Sequence, residues 1–385
     1  MFKQELLQLE KQHLLRRLTI VESCSGPYIT LNGKRLLLLC SNDYLGLAGH
    51  PALREAASAA MEWYGFGSGA SRLVSGTSVL HQELEQKISR FKGTEAALAF
   101  NSGYAANTGI IPAIAGEGDV ILSDSLNHAS IIDGCRLSKA EVKVYRHRDV
   151  AHVEDLLKKS FSAHRMLIVT DGVFSMDGDI APLPELASLA EQYGSLLMVD
   201  DAHATGVLGN TGRGTTEHFG LADRVPVQIG TLGKALGSFG AFAAGGRTLI
   251  EYLANRSRSF IFSTALPPMV CAASMAALDI VDREPERREN LRENRERFVQ
   301  GLLSLGIPIA DSETPIVPIM IGDSEKALLV GEKLLEYGIY AAAIRHPTVP
   351  EGSARIRTTV MATHTAEDID NALGIFDRLK REGYL

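Results

Sequence analysis

Short apolar runs alternate with helix-like stretches from about residue 50 to residue 280, and this alternation narrows the fold more than any other feature of the chain. The runs are Ala96–Phe100, Val120–Ser123, Glu141–Tyr145, Met166–Thr170, Leu196–Asp200, Val227–Gly230 and Ala241–Ala244, with helical patterns such as Tyr104–Ile114 and, after Pro182, Leu183–Tyr193 between them. A strand that is apolar along its whole length is buried on both faces, and strands joined by helices run mostly parallel. The expectation is an α/β domain: a mostly parallel seven-stranded sheet flanked by helices. In such sheets ligands bind beyond the carboxyl ends of the strands, so the residues that follow each run are where chemistry is expected.

A chain of 385 residues is long for one domain, and its 45% hydrophobic content suits a well-cored globular protein. We expect an N-terminal helix and small-domain segment over 1–45, a large domain over 46–283 and a smaller α+β C-terminal domain over 284–385. Leu6, Leu7, Leu9, Leu14, Leu15 and Leu18 recur at helical spacing and predict an amphipathic helix over 2–18, packed on the body or on a partner subunit. The mixed-charge run Asp282–Arg297 reads as a solvated helix face laced with ion pairs, leading into the C-terminal domain. There, Ile316–Met320, Ile339–Ala342 and Arg355–Thr358 read as strands, and Glu325–Tyr337 and Glu367–Arg381 as helices.

A net charge of −7, with no basic tract carrying interleaved aromatics, argues against nucleic-acid binding. The N-terminus has acids early and no apolar core of a secretory signal, and no stretch approaches the roughly 20 apolar residues of a membrane span, so a soluble, cytoplasmic protein is expected. Cys24, Cys40, Cys135 and Cys271 are scattered without Cys-x-x-Cys spacing and read as reduced packing residues.

The strand ends carry the chemistry. Lys234 lies in Thr231-Leu232-Gly233-Lys234-Ala235-Leu236-Gly237, about thirty residues after a strand that ends in Asp200-Asp201-Ala202-His203. Taken singly, a lysine in a Gly-rich loop is a plain turn. Held among small residues, however, its amine can form an imine with a carbonyl, and a strand-end carboxylate can keep a pyridine nitrogen protonated; together they suggest pyridoxal phosphate chemistry. Asn101–Asn107 follows a strand and opens a helix, a turn whose N–H groups suit a phosphate. His128, beyond the second run, can stack on a pyridine ring and exchange protons. Asp171–Gly178 brings the Ser175 hydroxyl to the same sheet edge, and Thr231 supplies another, suited to the phosphate or to positioning the lysine. Asp200 then meets the ring nitrogen and His203 a ring substituent such as the phenolic oxygen. A metal at Asp200, Asp201 and His203 lacks a supporting ligand cluster, and Gly65–Gly69 does not follow a strand as a dinucleotide fingerprint requires.

In its motifs the chain resembles the α-oxoamine synthases, fold-type I pyridoxal phosphate enzymes. The resemblance runs nearly end to end, through Ser41–Leu47, Gly67–Thr77, His81–Glu85, Asp171–Gly178, Asp200–His203 and Thr231–Lys234. It implies the cofactor pyridoxal 5'-phosphate, acyltransferase activity and decarboxylative condensation of an amino acid with an acyl thioester. The short N-terminus, Gly67–Arg72 and Pro347–Pro350 look most like the branch of biotin biosynthesis that joins L-alanine to a pimeloyl thioester, on CoA or acyl carrier protein. A glycine-using member and a catalytically silent binding or regulatory subunit are the alternatives. The resemblance assigns catalysis to Lys234, His128 and Asp200, and cofactor contacts to Gly103, Tyr104, His128, Ser175, Asp200, His203, Thr231 and Lys234. It assigns substrate contacts to Arg16 or the adjacent Arg17, Asn42, His128, Thr348 and Arg357, with Arg357 holding the amino-acid carboxylate. It also implies a homodimer in which Ser75–Thr77 or Phe262–Thr264 reaches the partner's site, with no metal.

Overall fold

The computed structural model describes residues 2–12, 14–16 and 18–385. Two compact units divide them. One comprises residues up to Gly46, Met176–Gly178 and Glu289–Leu385; the other comprises Leu47–Ser175 and Asp179–Arg288.

The larger unit is built on one sheet of seven strands: β1 (Ala96–Phe100), β2 (Val120–Asp124), β3 (Glu141–Tyr145), β4 (Met166–Asp171), β5 (Leu196–Asp200), β6 (Val227–Thr231) and β7 (Ala241–Gly245), in the order β1-β7-β6-β5-β4-β2-β3. From β3 to β6 every neighbour is parallel, and β7 runs antiparallel to both β6 and β1. Side chains alternate between the two faces. Ile121, Leu167, Val169, Met198 and Ile229 pack into one core with Ile110 and Ile111 of the helix Gly103–Ile114 and Ile131 of the helix Ala129–Ser138. Leu122, Ile168, Leu197 and Val199 pack into a second with Leu186 and Ala187 of the helix Leu183–Tyr193. Both faces are therefore dry, which is why these strands are apolar throughout rather than alternating.

Below the carboxyl end of β5 the sheet is tied down by charge. Lys92 Nζ lies 3.2 Å from Asp201 Oδ2, both side chains being buried, and Asp201 also accepts from Thr215 N and Thr215 Oγ1 at 3.1 and 2.5 Å. This is the structural use of the second aspartate in Asp200-Asp201. Among the described residues no group of three or more His, Cys, Asp or Glu is placed to hold a metal ion.

The smaller unit holds two three-stranded sheets. One orders Tyr28–Leu31, Lys34–Leu38 and Ile339–Tyr340; the other orders Ile316–Gly322, Ala354–Thr359 and Ala342–Ile344. The sequence-based strand Ile339–Ala342 is thus two strands in two sheets. Ile339–Tyr340 pairs in parallel with Lys34–Leu38, and Ala342, the last residue of the expected strand, opens the strand Ala342–Ile344 that pairs antiparallel with Ala354–Thr359. The hairpin Tyr28–Leu31/Lys34–Leu38 is absent from the expectations above, although Asn32-Gly33, both at positive φ (49° and 70°), is the strongest short hairpin signal a sequence offers.

The N-terminal helix is shorter than its leucine spacing predicts: it spans Phe2–Lys11 and buries none of its described side chains. The N–H groups of Leu14 and Leu15 both turn back onto the Leu9 carbonyl, at 2.8 and 3.1 Å, which ends the helical ladder. The mixed-charge run does form a helix, Glu286–Ser304, with Arg292 between Glu289 and Glu296. Cys135 and Cys271 are buried, and burial pushes their thiols up to about 11 and 12, whereas Cys24 is exposed. Among the described residues no helix is long and apolar enough to cross a membrane.

Candidate active site

The carboxyl ends of β2, β4, β5 and β6 open onto a cavity of about 200 Å³ lined by Gly103, Tyr104, His128, Ser130, Asp171, Ser175, Asp200, Ala202, His203, Thr231 and Lys234. All eight residues expected around a cofactor are among them, although they span more than 130 positions of sequence. The apolar strands make this convergence unavoidable: parallel strands end at one edge, and the polar residue after each must point over it.

Lys234 sits on a loop closed by Leu232 N to the Gly240 carbonyl (2.9 Å) and Gly237 N to the Lys234 carbonyl (2.9 Å). Gly237 has φ of 60° and lies so near Leu47 and Ala48 that a Cβ would approach their backbone to 2.3–2.4 Å, so no larger residue fits the turn. Lys234 Nζ is 2.9 Å from His203 Nε2. Asp200 is buried at the end of β5, its Oδ2 accepting from Asn107 Nδ2 at 2.7 Å and its Oδ1 from Ala202 N at 2.9 Å.

His128 caps the helix Ala129–Ser138. Its Nδ1 accepts from Ser130 N at 3.2 Å and lies 2.8 Å from Ser130 Oγ, so in the neutral ring the proton is on Nε2. Burial holds this imidazole below its ordinary value, the Asp200 charge opposes that and Lys234 reinforces it. The ring therefore enters the neutral pH range uncharged.

The helix Gly103–Ile114 points its N-terminus at the cavity. Ser102 caps Ala105 N at 3.0 Å, and the N–H groups of Gly103 and Tyr104, in the first turn, have no carbonyl within the helix to bond. A Cβ on Gly103 would stand 3.0 Å from Thr231 Cγ2, so the glycine keeps this end of the cavity open. The Thr231 hydroxyl donates to the Ala202 carbonyl at 3.1 Å, and the Tyr104 hydroxyl donates to Asp133.

The loop bearing Ser175 is fixed by a second charged cluster. His147 Nδ1 is 3.0 Å from Asp124 Oδ1 and its Nε2 2.8 Å from Asp179 Oδ2, with the ring edge-on to Phe174 at 4.4 Å. Burial alone would lower the His147 pKa, but the two carboxylates raise it to about 9. Because the folded value exceeds the ordinary histidine value of 6.5, the stabilisation is complete below about pH 6.5 and is lost as pH rises through about 9. We expect His147→Gln to remove up to about 3 kcal/mol of unfolding free energy at pH 6 and markedly less at pH 10. Urea unfolding at the two pH values measures this, and an equal loss at both would show that His147 is not bound as a cation.

The remaining expected substrate residues lie in the smaller unit. Arg357, buried in the central strand Ala354–Thr359, donates to Asn42 Oδ1 at 3.2 Å, and Arg16 Nη2 donates to Thr348 Oγ1 at 3.1 Å. Arg17, the other candidate in that segment, lies outside the described residues. Asp171, Asn107 and Ser130 carry no individual role in the sequence-based reading. Each sits inside or beside a motif already singled out, and only the contacts distinguish it from its neighbours.

A strand-end lysine and a buried carboxylate on one cavity, with a helix N-terminus beside them, define a class before any comparison is made. The Aminotransferase class I and II family profile matches residues 34–376, and the chain belongs to that family. Within it, the chain is a member of the 8-amino-7-oxononanoate synthase family. It is 55% identical to the 8-amino-7-oxononanoate synthase of Geobacter sulfurreducens over 98% of this chain and 97% of that protein. It is 48% identical to 8-amino-7-oxononanoate synthase 1 of Bacillus subtilis, over 99% and 97%. Among solved structures, a serine palmitoyltransferase variant from S. paucimobilis with a bound PLP–myriocin aldimine superposes with a TM-score of 0.94 at 32% identity, covering 99% of this chain and 97% of that one. The 8-amino-7-oxononanoate synthase of Francisella tularensis gives 0.78 at 29% identity, covering 91% and 99%.

Proposed function

We propose that this chain is a pyridoxal phosphate-dependent acyltransferase that condenses L-alanine with a pimeloyl thioester to give 8-amino-7-oxononanoate, carbon dioxide and the free thiol carrier, in biotin biosynthesis. The observation that carries the reading is Lys234 and the buried Asp200 carboxylate on one cavity, in a chain with these relatives.

The residues fit the cofactor. Asp200, fixed by two N–H donors at the cavity wall, suits a protonated ring nitrogen; the open N-terminus at Gly103 and Tyr104 suits a phosphate. When bound, pyridoxal phosphate supplies an electron sink for negative charge at the amino acid's Cα. Lys234 Nζ would hold the cofactor, and its amine, when free, would take the α-proton of the amino acid. His203, 2.9 Å away, orients that amine. His128, uncharged and with Nδ1 occupied, would pack on the cofactor ring and offer Nε2 to the substrate. Ser175 and His203 would contact the phenolic side of the cofactor, and Thr231 would border its phosphate. Arg16, Asn42, Thr348 and Arg357 are substrate contacts by the motifs they occupy, Arg357 gripping the amino-acid carboxylate.

The protein acts in the cytoplasm as a homodimer. Supporting a self-contact, the segments Ala70–Val74 and Phe262–Ala265 lie side by side through the Ser71–Thr264 bridge, and they leave Leu73, Val74 and Phe262 57%, 80% and 71% exposed.

The test is to supply L-alanine with pimeloyl-CoA, and in parallel with pimeloyl-acyl carrier protein, and to identify the product by mass. The expected product is 8-amino-7-oxononanoate from at least one carrier, with glycine in place of alanine giving far less thiol release. Preference for glycine would move the chain to the glycine-using branch, and no thiol release with either amino acid would reject the condensation.

A further inference from the structure

Asp171 and Asp200 are register partners across the parallel strands β4 and β5, and both carboxyl groups are buried at the same cavity. Two carboxylates so placed cannot both ionise cheaply, because each disfavours the charge on the other. Their hydrogen bonds are unequal. Asp200 receives one N–H on each oxygen, from Asn107 Nδ2 at 2.7 Å and Ala202 N at 2.9 Å. Asp171 receives one, from His128 N at 2.7 Å.

Asn107 is buried and spends both amide hydrogens. One goes to Asp200 and the other to Ser130 Oγ at 2.9 Å, whose own hydrogen is thereby left for His128 Nδ1 at 2.8 Å. Turned over, the amide would set its oxygen against the Asp200 carboxylate, so its orientation is fixed. Its Oδ1 is buried without a hydrogen-bond partner among the described residues, a cost that this orientation carries in order to keep both donors in use.

We propose that Asp171 and Asp200 together carry one negative charge, with the charge on Asp200 and the proton on Asp171, and that Asn107 is the positioning residue that sets this division. The groups facing Asp171 are consistent with it. Asp200 and Asp124 disfavour a second charge, while the His128 N–H and Lys234 favour one, and burial outweighs them, pushing the Asp171 carboxyl well above the carboxylate range. Nearby charges are already matched: Asp124 faces His147, and Asp201 faces Lys92. Asn107 also links the anion, through Ser130, to the nitrogen that fixes the His128 tautomer. Resting on the function proposed above, the division leaves Asp200 as the charged partner of the ring nitrogen and keeps its neighbour from competing for that role.

The test is infrared difference spectroscopy of the full-length protein at pH 7, with and without added pyridoxal phosphate. The expected result is a protonated-carboxyl C=O band in the parent without cofactor that disappears in Asp171→Asn. Absence of that band from the parent, or its survival in Asp171→Asn, overturns the assignment of the proton. Asn107→Ala, or Asn107→Ser if the near-ultraviolet dichroism shows that alanine disrupts the fold, should weaken or shift the band as Asp200 begins to share the proton. An unchanged band in the folded variant overturns the part given to Asn107. The cofactor-free measurement involves no substrate, so it stands or falls separately from the condensation assay.

Discussion

Lys234→Ala is expected to leave no covalently attached cofactor after borohydride reduction and to slow α-proton exchange of L-alanine by roughly 10⁴-fold, the upper range for loss of a positioned base. Both losses follow from one atom. Among the described residues Nζ is the only lysine nitrogen lining the cavity, so no other described group on the cavity wall can form the covalent link. The fold should survive, since the loop is closed by backbone bonds from Leu232 and Gly237 rather than by the lysine side chain. Lys234→Arg should fail in the same way, because a guanidinium keeps the charge but is neither a nucleophile nor a base at neutral pH. The decisive measurement is peptide mass after reduction. A cofactor adduct retained in Lys234→Ala, or found on another lysine, would sink the role given to Lys234.

What could be read from the sequence was decided by range. The central strands are legible because burial on both faces makes them largely apolar runs, whereas the edge strand Glu141–Tyr145 is mostly exposed and alternates charged with apolar residues. The strand positions then bring Gly103, His128, Ser175, Asp200 and Lys234 to one edge. The Asn32-Gly33 hairpin is equally legible, being a local signal, and its strands of 4 and 5 residues are about as long as those read in the large sheet. The split of Ile339–Ala342 between two sheets could not be read, since both halves are apolar and only their partners differ. The same holds for the roles inside the site. Asn107 becomes distinguishable from the rest of Asn101–Asn107 only through partners 23 and 93 residues away, Ser130 and Asp200. Likewise, nothing local separates Asp200 from Asp201; one faces the cavity and the other Lys92 because successive strand residues point to opposite faces.

That last distinction sets the second large effect. Asp200→Asn is expected to retain pyridoxal phosphate while slowing α-proton exchange roughly 10²- to 10³-fold, the scale for removing one preorganised electrostatic partner of the reacting charge. The substitution is nearly isosteric, but the introduced amide cannot accept on both sides as the carboxylate does. Whichever way it turns, an NH₂ group meets either Ala202 N–H or the Asn107 NH₂. Asn107 can relieve the second clash by presenting its unpaired Oδ1, at the expense of its bond to Ser130. The fold has little reason to weaken, because the neighbouring Asp171 loses a like charge that opposed its own ionisation. Cofactor occupancy and thermal stability should therefore stay near those of the parent while exchange collapses, a separation that deuterium incorporation into L-alanine, followed by proton NMR at matched occupancy, reads directly. Near-parental exchange in a fully loaded variant would remove Asp200 from the ring nitrogen. It would also point to Asp171, one strand away in the same register, as the anion the reaction uses.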